Sequence, residues 1–498
     1  MTANSDVNVW LETGLGRLLP AFFPSRRWFA GKARLIQAVD LEDAVWFADE
    51  RHRCALTIAG VRYADGVRER YVLLLAFVEE RADLPVIGPC EAGPPGTWVV
   101  EASTDVDAGL ALLRGFASAR DLPTLRGGRL HYADASDAVA RTIARMSERN
   151  AVRPVGTDQS NTSLRVDRDL VFKLFRKLDE GESPELEVGR FLAGRTTFRA
   201  TPMLQGSLTY TSARGASSTV GVLQDWIENS GDGWRYVVEE LRQGAGRTPS
   251  DPLLRALGAL GAVTAGFHAA LAGDTGVADF APEPVTVEDV DTWQSAFLQR
   301  ASQTFSLVER TLDGWPDDAR RLGQSLIDLR GKATLARAPG VVATSAQFQK
   351  IRVHGDYHLG QTLKTADGFV LIDLEGEPGR PLAGRRLKHC ALKDVAGMIR
   401  SFDYAVETAR NRRPGTATDV LSAQRLRQAF LEGYLSSATE HGAVYVPNDQ
   451  VVLGAWIDFF EVEKAFYELE YEINNRPAWV PIPLRGILRI LERHAEKK

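Results

Sequence analysis

The chain has 498 residues, of which 44% are hydrophobic and 25% are charged. At roughly 150 residues per domain, this length predicts two or three globular domains with large cores, and the composition excludes the disordered and collagen-like classes. The net charge of −5, with a pI near 6.0, lacks the basic excess of a general nucleic-acid or anionic-membrane binder. We therefore expect no nucleic-acid partner.

Cysteine usage and hydropathy indicate the compartment. Cys54, Cys90 and Cys390 lie far apart and form no CxxC pair, which excludes a disulfide framework and a cysteine zinc site. The first residues lack the basic and apolar regions of a signal peptide, and the strongest apolar run, 71–78, is less than half of a membrane span. These features predict a cytoplasmic protein without a membrane partner.

The first half of the chain has the pattern of a sheet. A helix is predicted around 108–117, and strands within 158–175 and 220–226 flank a second helix over 184–192. This order favours a mostly antiparallel sheet. Before it, a small sheet-rich unit is predicted from strand patterns at 55–58, 71–78 and 97–100 and from turn clusters at 63–66 and 93–96.

The second half is predicted to be mainly helical. From about residue 231, apolar residues recur three and four positions apart, with one strand-rich interruption at 350–377. The predicted helices cover 252–271, 291–311, 317–335, 423–440 and 449–474. We predict an α+β fold with a small sheet-rich subdomain at 1–98, an intermediate subdomain with a mostly antiparallel sheet at 99–228, and a mainly helical part at 229–498.

One segment carries a set of residues suited to phosphoryl transfer. Asp356 lies in a His-Gly-Asp loop, Gln361 follows five residues later, and Asp373 ends the next strand pattern. An acidic group can orient and deprotonate an attacking hydroxyl, while a carboxylate and an amide hold Mg²⁺ against nucleotide phosphates. We predict Asp356 as the catalytic base and Gln361 with Asp373 as the metal ligands.

A kinase also needs a lysine to hold the nucleotide phosphates. Lys173 lies in an apolar strand pattern, and Glu187 on the next predicted helix is the preferred partner, with Glu185 as the alternative. A run of small polar residues before the lysine is suited to cradling phosphate. Its predicted nucleotide-contacting members are Ser160, Asn161, Thr162 and Ser163.

The route to the nucleotide is not a P-loop, because the chain contains no G-x-x-x-x-G-K-[ST] pattern. The segment that ends the last predicted strand before the helical half could instead present backbone groups to adenine. A simple linker is the alternative interpretation. The residues predicted to contact adenine are Gln224, Asp225, Trp226 and Ile227.

Seven motifs, read together, resemble those of known kinases. They lie at 27–32, 159–163, 173–176, 354–361, 373–382, 392–402 and 475–479. In this order they are similar to the kinases related to aminoglycoside phosphotransferases, and more narrowly to bacterial maltokinases, with Gln361 where the wider family has Asn. One departure is His389-Cys390-Ala391, where a Ser-Pro pair is more usual.

The resemblance implies a bilobal, protein-kinase-like fold with an N-terminal cap. It also implies ATP- and Mg²⁺-dependent phosphorylation of maltose to maltose 1-phosphate, which feeds glycogen and other α-glucan synthesis, and a possible trehalose-converting enzyme as partner. Glucosamine kinases are related, so an amino sugar is the alternative substrate. A catalytically inactive nucleotide-binding partner is a third hypothesis.

Several residues are candidates for binding the sugar, because a hydroxyl-rich ligand needs polar partners and an aromatic face. Glu377, Arg380 and His358 are predicted to contact it. His354 and His358 lack a third metal ligand, and His354 is predicted to brace the loop instead. A further group near one helix end comprises Glu468, Tyr471, Glu472, Asn475 and Trp479. Arg27, Trp28 and Lys32 are predicted to join the cap to the rest of the protein rather than to contact substrate.

Overall fold

The protein is described by a computed structural model that divides into two compact units. Unit 1 comprises Met1–Ala193 and Pro202–Ile227, and unit 2 comprises Gly194–Thr201 and Glu228–Lys498. The described residues are 2–48, 53–79, 83–92, 96–118, 121–146, 152–156, 160–244, 248–273, 276–330, 348–409 and 417–496.

Unit 1 begins with a helix packed on a five-stranded antiparallel sheet in the order β1-β2-β3-β5-β4. The β2–β3 hairpin turns at Gly66, whose φ of +83° suits glycine, and the Asp65 carboxylate accepts the Val67 N–H. The elements are α1 (Thr2–Phe22), β1 (Ile36–Ala48), β2 (Arg53–Tyr63), β3 (Arg68–Val78), β4 (Val86–Pro89) and β5 (Trp98–Glu101).

A second, seven-stranded antiparallel sheet completes unit 1, in the order β6-β7-β11-β12-β10-β9-β8. Its strands are β6 (Leu122–Pro123), β7 (Arg129–Ala133), β8 (Val152–Val155), β9 (Thr162–Val166), β10 (Leu170–Leu174), β11 (Leu204–Thr211) and β12 (Ser217–Asp225). The helices of this part are α2 (Val106–Ser118), α3 (Asp137–Arg145) and α4 (Pro184–Arg195).

The two sheets of unit 1 are joined by backbone and by core. Just after β10, Arg176 C=O accepts the Val72 N–H at 2.8 Å and Leu178 N–H donates to Arg70 C=O at 2.8 Å, so this segment also pairs with β3. One hydrophobic cluster contains side chains of both sheets and of α2, among them Leu56, Leu74, Leu112, Phe172 and Leu223. The first sheet therefore shares its core with the second.

Unit 2 is mainly helical, and short strand pairs interrupt the helices. Its helices are α5 (Gly233–Gln243), α6 (Asp251–Leu271), α7 (Val287–Thr311), α8 (Asp317–Asp328), α9 (Leu382–Arg385), α10 (Leu392–Ala409), α11 (Ala417–Glu440), α12 (Gln450–Asn475) and α13 (Pro481–Glu496). The strands β13 (Glu283–Pro284) and β14 (Gln349–Lys350) pair, as do β15 (Thr362–Lys364) and β16 (Phe369–Leu371). Single turns of 3₁₀-helix cover Phe23–Ser25, Leu312–Gly314, Leu359–Gln361 and Pro477–Trp479.

Helix α6 is a buried helix of unit 2. A Cβ built on Gly261 would lie 2.7 Å from Tyr434 N, so glycine permits close packing against α11. Ser250 caps the helix by accepting the Leu253 N–H. In length and composition α6 could cross a membrane, a property that it shares with buried core helices, and it is the one such helix in the described part of the chain.

The predicted fold class is confirmed: an antiparallel sheet region with a cap precedes a mainly helical half. Cys54, Cys90 and Cys390 are buried. The structure adds α1, which the sequence analysis did not predict, and it ends α8 at Asp328, where the pattern suggested 335. Residues 331–335, like the predicted turn residues 93–95, lie outside the described residues. The domain boundaries at 98 and 228 remain a prediction.

Candidate active site

The loop that carries Asp356 is fixed by a buried carboxylate on α10. Asp394 accepts the N–H groups of His354 at 2.7 Å and Gly355 at 2.9 Å. His268 Nε2 lies 3.1 Å from the same carboxylate. Burial would raise the pKa of Asp394, but the contacts with His268 and the backbone hold it below its usual range. Asp394 thus remains an acceptor that shapes the loop.

The loop is also tied to the end of β16. His354 Nε2 lies 3.0 Å from Ile372 C=O, which confirms that this histidine braces the loop. Gly355 has a φ of +87°, and a Cβ there would approach Gly376 Cα at 3.2 Å. Glycine is needed here because the backbone takes a left-handed conformation close to another chain segment.

Asp356 faces a cation that the sequence analysis did not identify. Lys464 Nζ on α12 lies 3.2 Å from Asp356 Oδ1. Burial would raise the pKa of Asp356, but the charge of Lys464 outweighs it, with smaller contributions from His358 and His354, and the pKa lies below its usual range. Asp356 is therefore ionised, as a proton acceptor must be.

The two predicted metal ligands lie together. Gln361 Nε2 donates to Asp373 Oδ2 at 2.9 Å. Because the oxygen and nitrogen of an amide are assigned from the hydrogen-bond network, a half-turn of this group would place an oxygen beside the carboxylate. Two oxygen donors suit Mg²⁺. Asp373 has a φ of +66°, a conformation that Asp tolerates better than most residues.

Lys173 forms its ion pair with Glu185, which corrects the preferred assignment. The Lys173 Nζ to Glu185 Oε2 distance is 2.6 Å, and the side chains are only 12% and 2% exposed. Glu187 is buried on the same helix. Two residues of α-helix amount to about 200° of rotation, so Glu185 and Glu187 project in nearly opposite directions.

The predicted phosphate turn is partly a strand. Thr162 and Ser163 begin β9, and the Thr162 hydroxyl accepts the Arg176 Nε–H at 2.8 Å. Asn161 Oδ1 accepts the Arg176 backbone N–H at 3.3 Å. These side chains are thus engaged within unit 1, and phosphate contact by Asn161 and Thr162 remains a prediction. Ser160 and Ser163 remain predictions, and Gln159 lies outside the described residues.

The predicted adenine segment has two of its amides engaged. Asp225 N–H donates to Met203 C=O at 3.0 Å, and Trp226 N–H donates to Asp169 C=O at 2.7 Å. These amides are bonded within unit 1, and a role for Asp225 and Trp226 in binding adenine remains a prediction. Gln224 is buried in β12, and Ile227 is the last residue of unit 1. A role for either in nucleotide binding remains a prediction.

A cavity of about 510 Å³ in unit 2 extends to Gly355, next to Asp356. This volume is typical of small-molecule sites. Two of the predicted sugar residues line it, Glu377 and Arg380, which form an ion pair at 2.8 Å. Its other lining residues, to which the sequence analysis gave no role, include Trp293, His389, Lys393 and Glu463.

The wall formed by these residues is aromatic and charged. The Trp293 and His389 rings stack with centroids 4.4 Å apart. Burial lowers the pKa of His389 well below its usual value, and Lys393 and Arg380 add to this effect, so the ring is neutral. His358 is placed differently: its Nδ1 accepts the Gly360 N–H at 3.1 Å, and burial lowers its pKa.

The sugar residues predicted on α12 and after it form a hydrogen-bonded cluster. Glu468 accepts two hydrogen bonds from the buried Arg400, at 3.0 and 2.7 Å. Glu472 accepts hydrogen bonds from Tyr404 and Arg476. None of the predicted group lines the cavity described above, and their contact with a sugar remains a prediction. Its other members are Tyr471, which is 44% exposed, Asn475, which donates to Tyr471 C=O, and Trp479, which stacks on Tyr404.

Comparisons with known proteins agree with this architecture. Residues 22–105 match the maltokinase N-terminal cap domain. A glucosamine kinase of Mycolicibacterium smegmatis is 27% identical over 347 residues, which cover 68% of this chain and 79% of that protein. A glucosamine kinase of Streptacidiphilus jiangxiensis is 26% identical over 345 residues, covering 66% and 71%.

The fold is shared with solved glucosamine kinase structures. One superposes with a TM-score of 0.64 at 21% identity and covers 96% of this chain and 99% of that one. Another, in complex with glucosamine, ADP and inorganic phosphate, has a TM-score of 0.61 at 20% identity, with the same coverage. The resemblance that the sequence motifs indicated is confirmed: the chain carries the maltokinase-type cap and is related over most of its length to the glucosamine kinases.

Proposed function

We propose that this protein is an ATP-dependent sugar kinase. The observation that carries the proposal is the set Asp356, Gln361 and Asp373, in which an ionised aspartate lies near a cavity and an amide and a carboxylate lie together. Asp356 would orient the acceptor hydroxyl and accept its proton. Gln361 and Asp373 would hold Mg²⁺, which neutralises phosphate charge when bound. Lys173, set by Glu185, would bind the nucleotide phosphates.

The relatives favour an amino sugar as the acceptor. The proteins that this chain matches over two thirds of its length are named glucosamine kinases. The cavity carries carboxylates, Glu377 and Glu463, that could receive an ammonium group. Glucosamine is therefore the first acceptor to test.

Maltose is the second candidate, favoured by the maltokinase cap at residues 22–105. The cavity volume of about 510 Å³ has room for a disaccharide. A cytoplasmic location is proposed separately, from cysteine usage and hydropathy. Formation of maltose 1-phosphate, a role in glycogen synthesis and a trehalose-converting partner are implied together by the resemblance to maltokinases. They depend on this acceptor.

The test is ATP consumption by the purified chain with Mg²⁺ and each of five acceptors: glucosamine, maltose, glucose, trehalose and an aminoglycoside. NMR identifies the phosphorylated product. Turnover of glucosamine or maltose selects between the two candidates. Nucleotide binding without turnover of any sugar would reject the proposal and favour an inactive nucleotide-binding partner.

A further inference from the structure

Lys464 is a partly buried cation whose role no motif indicates. It lies on α12, 108 residues after Asp356, with Nζ 3.2 Å from Asp356 Oδ1. Both side chains are 21% exposed. With Gly355 and Glu377, the lysine also lines a small cleft beside the larger cavity. It is thus placed at the site and belongs to an element remote in sequence.

The surroundings of Lys464 keep it charged and in place. Its ammonium group lies 4.8 Å from the centroid of the Tyr467 ring. One turn further along the helix, Glu468 is held by the buried Arg400. Burial would lower the pKa of Lys464, but Asp356 and Glu468 raise it above its usual value. The lysine is therefore a permanent positive charge at any pH at which the protein functions.

The two oxygens of Asp356 differ in their contacts. Oδ1 is bound by Lys464, while Oδ2 has no hydrogen-bond partner among the described residues. A carboxylate held by one oxygen leaves the other at a defined position for an incoming hydroxyl. The remaining titratable groups that face Asp356 are His354 and His358 from its own loop and Tyr467 from α12.

We propose that Lys464 is a positioning residue for phosphoryl transfer: it fixes Asp356 through Oδ1, so that Oδ2 is presented to the acceptor hydroxyl. This proposal rests on the proposed kinase function. The lysine acts through Asp356 and transfers no proton itself. Replacing Lys464 removes both the anchor of Asp356 and the charge that keeps Asp356 ionised. The variant should therefore have a lower kcat and need a higher pH to reach its maximal activity.

The experiment compares Lys464→Met and Lys464→Arg with the native chain, using the acceptor that the native chain phosphorylates. An opposite charge at this range lowers a carboxyl pKa by about 1 to 3 units. In the pH profile of kcat/KM, the acidic limb should therefore move to higher pH by about one unit or more in Lys464→Met. We expect kcat to fall at least about 10-fold, as for a misplaced general base. Lys464→Arg should keep the acidic limb at its native position and retain most of the native kcat.

Two controls assign these effects. Asn474→Asp, on the exposed end of α12, changes net charge by the same amount as Lys464→Met and should leave the limb and kcat in place. Because His358 also titrates near Asp356, the comparison is repeated in a His358→Gln background, where the shift should persist. A native limb position in Lys464→Met, or equal defects in the Met and Arg variants, would overturn the proposal.

Measurements of stability distinguish failure of this proposal from failure of the proposed kinase function. The single variants Asp356→Asn and Lys464→Met and their combination form a double-mutant cycle, read as free energies of unfolding in urea. A favourable coupling supports the ion pair in solution even if no sugar is phosphorylated. Strictly additive effects would reject the pairing, and with it the proposal, whatever the activity.

Discussion

Asp356 is the residue on which the proposed chemistry depends most directly. Asp356→Asn keeps the shape of the side chain but removes the charge that accepts a proton. We expect kcat to fall by about 10²- to 10⁴-fold, with ATP affinity unchanged within about 2-fold. Steady-state kinetics and nucleotide titration measure both. Asp367→Asn, at the exposed β15–β16 turn, is the matched control. Full turnover by Asp356→Asn would exclude the assigned role.

Glu463 gives a test of which sugar enters the cavity. It lines the cavity, as does Lys393, and neither has an ion-pair partner among the residues that the structure describes. If the acceptor carries an ammonium group, Glu463→Gln removes a charged hydrogen bond of about 1.5 to 3 kcal/mol and should raise KM roughly 10- to 100-fold. For a neutral sugar, Glu463→Gln should change KM little.

The comparison needs a control for charge alone, which Glu440→Gln at the exposed end of α11 supplies. KM is measured for glucosamine and maltose with each variant. An equal increase in KM for the two sugars in Glu463→Gln would mean that this carboxylate does not bind the ammonium group.

At the scale of elements, α10 and the Asp356 loop are packed without room for a side chain between them. A Cβ on Gly397 would lie 2.6 Å from Tyr357 C=O, and a backbone atom cannot move aside as a flexible side chain can. Gly397→Ala should therefore displace the loop, cost about 1 to 3 kcal/mol of stability and lower kcat. Thermal unfolding and steady-state kinetics measure these effects.

Gly454 on α12 is the counterpart, since a Cβ there meets no atom within 4 Å. Gly454→Ala should raise stability by up to about 1 kcal/mol through helix propensity alone, with native kcat. If both alanine variants behaved alike, close packing of α10 against the loop would not explain the glycine at 397.

The sequence identified elements and residues whose signals are local. Asp356, Gln361 and Asp373 share one loop and one hairpin, so their spacing alone indicated that they lie near each other. Lys464 could not be found in this way, because only the packing of α12 brings it to Asp356. The same limit applies to the sugar residues predicted around Glu468: periodicity separates the faces of a helix but does not say which face meets the loop.

Two other differences have equally physical causes. Choosing between Glu185 and Glu187 required the rotation of α4 relative to β10, which sequence spacing does not contain. Small hydroxyl residues favour turns, which suited the polar run at 160–163 to a phosphate-binding turn. In the structure Thr162 begins β9, and its hydroxyl accepts a hydrogen bond from the buried Arg176. Tertiary partners overrode local preference in both cases.

At the scale of the whole molecule, Arg176 connects the cap sheet to the second sheet. It is 1% exposed, donates to Glu101 at the end of β5 at 2.8 Å, and lies 4.8 Å from the Trp28 ring, which confirms the joining role predicted for that tryptophan. Arg176→Met would leave a buried carboxylate unpaired, so we expect a loss of about 3 to 5 kcal/mol.

Urea unfolding measures this loss, and hydrogen exchange of β9 and β10 should report it locally. Adding Glu101→Gln to Arg176→Met should recover part of the stability, because the unpaired charge is removed. Arg190→Met, which breaks exposed ion pairs with Asp134 and Glu182, should cost less than about 1 kcal/mol. A similarly small effect of Arg176→Met would contradict a connecting role.

The placement of the cavity has a consequence for how acceptor choice can diverge. All the side chains that line it belong to unit 2, whereas Lys173 and Glu185 belong to unit 1. If that cavity receives the sugar and Lys173 binds the nucleotide, as proposed, substitutions at a few positions such as Trp293, His389 and Glu463 could change the acceptor without altering Lys173 or Glu185. A library randomised at only those positions would sample new acceptors while leaving the other residues of the protein unchanged.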